Sequence, residues 1–215
     1  MTPMTRIATG GLCAAILVVI SGCGPLISVG GDKNPPIIYT LSPAEPVGSL
    51  DRPPLPVTLV VSEPSASDAL DSRRLALMPS ELQIQYYAGA RWSDRAPALI
   101  QNLLVSAFTG IVANVTANSM PVTPDYRLTS RLVSFETHYP TANKPVAVVA
   151  LDLQLFSARP LALVATTRIT NEQTASADKT DAVARAFNNA SQVTAQAAVT
   201  WAYDEMAKQA TQGEK

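Results

Sequence analysis

A chain of 215 residues, 47% of them hydrophobic, can bury one sizeable core, as one domain or two small ones. Its 16 Lys and Arg nearly balance 17 Asp and Glu, with no long run of either sign. That excludes the basic footprint of a nucleic-acid binder and a polybasic hold on an acidic lipid surface.

The first 22 residues read as a secretory signal. Arg6 and the amino terminus supply a positive n-region, Gly11 to Ile20 an apolar run of ten residues, and Ser21-Gly22 the small residues ahead of Cys23. A helix needs roughly 20 apolar residues to span a bilayer, so this run is expected to be removed rather than kept as an anchor. The string Ile20-Ser21-Gly22-Cys23 looks like a lipobox, with Ile where Leu is usual. It predicts cleavage between Gly22 and Cys23, with diacylglycerol on the Cys23 sulfur and an N-acyl chain such as palmitate on its amine. Cys13 is lost with residues 1–22, so Cys23 becomes the only cysteine of the mature chain and no internal disulfide is expected. One acyl chain binds a membrane marginally; two or three anchor stably. Gly24, rather than Asp, follows Cys23, which by resemblance to the sorting rules of Gram-negative lipoproteins favours the outer membrane. Loss of Arg6 leaves 15 basic against 17 acidic residues, a net charge of −2.

Gly24 to Pro36 is rich in breakers and reads as a flexible tether, making residues 23–36 a lipidated linker and 37–215 the folded domain. Thirteen residues at about 3.3–3.6 Å each reach roughly 45 Å. Ile37 to Leu41 predicts a short strand, Ala44 to Pro56 an irregular stretch, and Val57 to Val61 a β-branched strand closed by Pro64. Arg74 to Met78 and Leu82 to Tyr87 form a hairpin around Pro79-Ser80-Glu81. A helix then opens at Trp92-Ser93-Asp94, capped by Ser93 or Asp94, with Pro97 in its first turn. Its stripe is Leu99, Ile100, Leu103, Leu104, Ala107 and Phe108, and Gly110 stops it before a strand at Ile111 to Val115. Strands follow over Tyr126–Thr137, Val146–Phe156 and Leu161–Thr170. In the middle one Val149, Leu151, Leu153 and Leu155 alternate with Ala150, Asp152 and Gln154, the pattern of a sheet with one buried face. A final helix over Thr180–Ala210 shows Val183, Phe187, Ala190, Val193, Ala197 and Trp201 as its buried stripe. The order predicts an α/β domain, a single mixed β-sheet carrying two main helices.

Chemistry is sparse. His138 is the single histidine, at a strand end, and no nucleophile-elbow pattern accompanies it. One His and a lipidated Cys do not make a zinc site, and no phosphate-binding Gly motif occurs. Glu63, Asp68, Asp71, Glu81 and Asp94 are scattered, so no catalytic, metal or cofactor site is expected. The aromatic cluster Tyr86-Tyr87 with Trp92 allows two readings. Tyr86 and Trp92 fit a core that clamps the first helix to the sheet; Tyr87 and Trp92 together are the candidate partner interface, with Tyr87 the better surface residue.

The segments Arg74-Leu-Ala-Leu-Met78, Leu82-Gln-Ile-Gln-Tyr-Tyr87, Arg91-Trp92, Ala96-Pro97 and Leu99-Ile-Gln-Asn-Leu-Leu104 resemble one family. So does their setting of lipobox, Tyr39-Thr-Leu-Ser-Pro43 strand and long terminal helix. The chain is similar to the auxiliary lipoproteins of ABC-type lipid transporters, the PqiC-like family, over residues 37–208. The resemblance implies a mixed α/β fold and an outer-membrane lipoprotein. It also implies work beside an MCE-domain protein, an ABC permease and an ATPase that move lipid or other hydrophobic molecules across the envelope. It transfers no catalytic residue; a homo-oligomer is compatible with it. The rival expectation is an outer-membrane lipoprotein that activates a cell-wall synthase or assembles an outer-membrane protein.

Overall fold

The computed structural model describes residues 35–44, 53–117, 122–141 and 144–212. Gly22, Cys23 and the expected tether up to residue 34 lie outside the described residues. The elements, in chain order, are β1 (Ile37–Tyr39), β2 (Leu55–Val61), β3 (Arg74–Ser80), β4 (Gln83–Trp92), α1 (Ala96–Phe108), β5 (Val112–Ala117), β6 (Tyr126–Thr141), β7 (Lys144–Ala158), β8 (Leu161–Thr174) and α2 (Thr180–Gln212). The eight strands form one mixed, curled sheet, and two helices pack on it, as the element order predicts.

Strand β6 organises the sheet. One of its edges pairs antiparallel with β7 along nearly its whole length, and β7 pairs in turn with β8. The opposite edge is shared. Leu59 to Val61 of β2 run parallel beside Tyr126 to Leu128, and Ala76 to Met78 of β3 run parallel beside Glu136 to His138. Between them Ser65 bridges Arg131, its N–H donating to Ser130 O and its carbonyl accepting Leu132 N–H. Strands β2 and β3 are therefore two stages of one track along β6, interrupted by an excursion through residues 66–73. Strand β5 extends the β2 stage, and β4 with β1 extends the β3 stage.

The alternation in β7 sets the two faces. Ala147, Val149, Leu151, Leu153 and Leu155 are almost wholly buried toward the helices. The α1 stripe is buried as the heptad-like spacing requires, and Gly110, at φ +80, ends that helix in the left-handed region. Its N-cap differs from expectation. Arg95 holds that position with no side-chain cap, because the Asp94 carboxylate accepts the Arg95 N–H at 2.8 Å instead of reaching into the first turn. The hairpin arm also runs farther, so Trp92 closes β4 rather than opening the helix.

Where the layers meet, Trp92 of β4, Phe135 of β6 and Phe187 of α2 form a closed triangle, with ring centroids 5.3, 5.4 and 4.8 Å apart. Trp92 thus clamps α2 to the sheet within the same core that holds the α1 stripe, and it is 1% exposed, which removes it as a partner-interface residue. Its indole N–H finds no acceptor among the described residues.

The buried stripe of α2 departs from the expected one halfway along. Val183, Phe187 and Ala190 face the core, but the contact line then follows Thr194, Ala198, Ala202 and Met206. Val193 is 49% exposed. Small residues let the helix axis sit close to β7 and β8, so the line of closest approach chose alanine and threonine over the bulkier Val193 and Trp201.

Two stability measurements follow, both by urea unfolding of the mature chain. Trp92→Ala is expected to cost about 3–5 kcal/mol, whereas Trp92→Phe costs far less, because it keeps most of the ring and removes an unpaired donor. On α2, Ala202→Leu should destabilise by about 1–3 kcal/mol through overpacking while Val193→Ala changes stability by less than about 0.5 kcal/mol. Equal effects would return the buried stripe to Val193.

Candidate interaction face

Helices cover one side of the sheet, so the other side is where side chains meet their surroundings. Cross-strand register sorts that open side into rungs. Met78, His138, Val146 and Thr174 form one, and Ala76, Glu136, Val148 and Glu172 the next. Farther along, Arg131, Asp152 and Arg168 share a rung, and Arg127, Phe156 and Leu163 another near the β7–β8 turn. Beside that turn Leu161 is 81% exposed. The face therefore runs from an acidic end, through a guanidinium-rich middle, to an apolar end with arginines.

In the middle, Asp152 bridges two guanidiniums. Arg131 donates from Nη2 at 2.7 Å and Arg168 from Nη2 at 2.8 Å, with a further bond from Arg168 Nε. Hydrogen bonds from Arg168 and then Arg131 hold the Asp152 carboxyl well below the usual carboxylate range. Two arginines on one aspartate leave a surplus positive charge, which fits recognition of an anionic group better than proton transfer.

The scattered carboxylates are mostly tied up. Glu63 and Asp71 both accept from Arg95, Glu63 at 2.6 Å, and these bonds raise the Arg95 guanidinium further above its usual value. Asp94 sits 3.5 Å from Arg73. Asp68 is exposed in the excursion between β2 and β3, and Glu81 stands at the β3–β4 hairpin tip. His138 Nε2 lies 3.1 Å from Glu136 Oε1, and the other Glu136 oxygen accepts the Phe135 N–H at 2.6 Å. No serine or cysteine is hydrogen-bonded to that imidazole among the described residues. Nor do the described residues hold a group of three His, Cys, Asp or Glu placed to bind a metal ion.

Tyr87 is not a free surface ring. It is half-buried, its hydroxyl 2.8 Å from both Thr137 Oγ1 and Tyr139 Oη, and Tyr139 donates onward to Asp178 at 3.0 Å. Burial pushes both phenols up, and in Tyr139 the bonds to Tyr87 and Asp178 push it further. The chain of hydroxyls ties β4 to β6 and to the lead-in of α2. Tyr86 lies on the open face instead, with the Arg74 guanidinium 3.5 Å over its ring and its hydroxyl donating to Ala69 O. A bulge inverts the expected faces. Between Tyr86 and Arg91 the strand spends five residue steps against two in β3, with Gly89 at φ +66, so Tyr87 and Trp92 come to share the helix side. The signal available in sequence was Ala88-Gly89-Ala90 inside a strand pattern.

At the sheet margin, Tyr39 hydrogen-bonds Thr180 Oγ1 at 3.1 Å and Asp181. Ser42 N–H donates to Asn188 at 2.8 Å, and Gln192 returns a bond to Ser42 O at 3.0 Å. Residues 39–42 are thereby strapped along α2.

The Asp152 cluster has a pH signature. Its folded carboxyl titrates below the unfolded value of about 3.9, so its contribution is fully present above that value and fades as pH falls through the folded one. Wild type is expected to exceed Asp152→Asn in stability at pH 7, with the gap narrowing progressively as pH falls below about 4; a gap that stays constant from pH 7 to pH 2 means the arginines do not engage the ionised carboxylate.

Comparison with known proteins extends this picture. A crystal structure of a Xanthomonas campestris protein of the DUF330 family is 26% identical, with a TM-score of 0.76, and the match covers 81% of this chain and 99% of that one. A second crystal structure, of an uncharacterized protein, reaches a TM-score of 0.60 at 14% identity over 77% of this chain and 97% of that one. No curated protein matches. The family model of the ABC-type transport auxiliary lipoprotein component matches residues 39–199, from the strap on α2 through most of that helix, and the chain belongs to this family.

Proposed function

We propose that the chain is the non-catalytic, lipid-anchored component of an ABC/MCE-type transporter that moves lipids or other hydrophobic molecules across the Gram-negative envelope. The observation that carries the reading is the family match over residues 39–199. Family membership speaks for association with an ABC transporter and for a membrane-anchored location. The finer assignments rest on the sequence: cleavage before Cys23, diacylglycerol and an N-acyl chain on that residue, and Gly24 favouring the outer membrane. The open, helix-free side of the sheet supports a role in contact rather than chemistry, since the carboxylates Glu63, Asp71 and Asp94 are engaged with arginines. In this reading the lipid holds one end at the outer membrane, residues 24–36 give reach, and the domain meets the distal end of an MCE assembly. It does so singly or as a homo-oligomer, while a permease and an ATPase supply the work.

The test is purification of the full-length lipoprotein from its native membrane in mild detergent, with mass spectrometry of what accompanies it. An MCE-domain protein with its permease or ATPase is the expected company; a cell-wall synthase or an outer-membrane barrel in its place overturns the reading. Cys23→Ala should abolish labelling by radioactive palmitate and envelope-barrier function while leaving the urea midpoint of the domain unchanged. Full complementation by that variant would show that anchoring is dispensable.

A further inference from the structure

The acidic end of the open face is a built cleft. Its floor is Met78, Val146 and Val148, from adjacent rungs of β3 and β7. The hairpin tip Pro79-Ser80-Glu81 walls one side, Tyr139 and Pro140 another, and Glu172 of β8 closes the far rim, enclosing about 570 Å³. That volume falls in the range of a site that takes one or two side chains rather than a flat contact.

Its electrostatics are one-sided. Glu81 and Glu172 stand on opposite rims, and the described lining residues include no lysine or arginine. His138, the one lining group able to carry positive charge, points Nε2 at Glu136, a carboxylate that is 5% exposed. The cleft thus pairs an aliphatic floor with carboxylates at its edge. An anionic lipid headgroup would be repelled by both rims. A purely apolar ligand would leave both carboxylates without a partner. Beside the cleft, Leu82 at the hairpin tip is 96% exposed and adds apolar surface at the entrance.

We propose that this cleft is a docking site for a partner segment that carries an aliphatic side chain next to a lysine or arginine. The aliphatic group covers Met78, Val146 and Val148, and the cation pairs with Glu81 or Glu172 at the rim. That the segment belongs to a transporter component rests on the function proposed above; the chemistry of the cleft does not.

The test uses the mature lipoprotein in nonionic detergent and two fluorescein-labelled pentapeptides, Lys-Leu-Lys-Val-Lys and Glu-Leu-Glu-Val-Glu, read by anisotropy. The basic peptide is expected to bind and the acidic one not. Glu81→Lys with Glu172→Lys should weaken the basic peptide at least tenfold, and the milder Glu81→Gln with Glu172→Gln should weaken it in the same direction. Val193→Ala, on α2 at the other side of the sheet, should leave affinity within twofold. Circular dichroism and melting confirm that each variant folds. Equal binding of the two peptides, or unchanged binding by the lysine double variant, overturns the proposal. The same double variant should lose the MCE-domain protein in co-purification. If the wild type captures none, the transport reading fails while the peptides still decide the cleft. A wild-type oligomer that the double variant dissociates, seen by light scattering, gives the cleft to a second copy of the chain and overturns the partner assignment.

Discussion

The contact of Trp92, Phe135 and Phe187 is what makes one body of a sheet built in two stages. Each ring comes from a different element, and each element has a different edge or face to satisfy. Strand β4 reaches β6 only through β3, and α2 reaches β4 only across the sheet. The aromatic triangle joins these by area and shape, with centroid spacings in the range where edge and tilted ring packing is favourable. Around it the hydroxyl chain from Thr137 through Tyr87 and Tyr139 to Asp178 fixes the same three elements by polar bonds. Apolar packing and polar fastening thus lie side by side on the helix face, which leaves more of the opposite face open to solvent.

That division is what the functional reading draws on. Alternate residues of β6, β7 and β8 on the open face are fixed by the buried set yet differ from rung to rung in charge. An acidic cleft, an arginine pair on one aspartate and an apolar end occupy successive lengths of the same strands. Such a gradient orients an elongated partner, because reversing it would set like charges together.

Much of this architecture was legible in the sequence, for identifiable reasons. The alternation from Leu151 to Leu155 gives the face of β7, since a period of two admits only one buried set there, while Val148 and Ala150 on the other side are buried as well. The α1 stripe is equally plain, because Leu99, Ile100, Leu103, Leu104 and Phe108 fill most of its core positions. Legibility fails where size stops tracking burial. In α2 the contact line runs through Thr194, Ala198 and Ala202, which carry almost no hydrophobic signal, while Val193 and Trp201 draw attention on the flank. It fails again at Gly89, where a bulge reverses which tyrosine faces in, and strand parity read straight across it assigns Tyr87 to the surface. The cleft was invisible for a third reason. Its residues come from four strands, and only the register sets Met78, His138, Val146 and Glu172 within reach of one another.

The shared edge of β6 also governs the order in which the chain can be assembled. Strands β2 and β3 complete their pairing only against residues 126–138, which are made after them. Synthesised amino end first, both strands wait for that shared edge. The β6–β7–β8 meander, by contrast, closes through short turns as soon as it appears. The carboxy-terminal half is therefore the seed and the amino-terminal half the late arrival, the reverse of their order of synthesis. A chain arranged this way commits to its final shape only once its carboxy-terminal strands have been made.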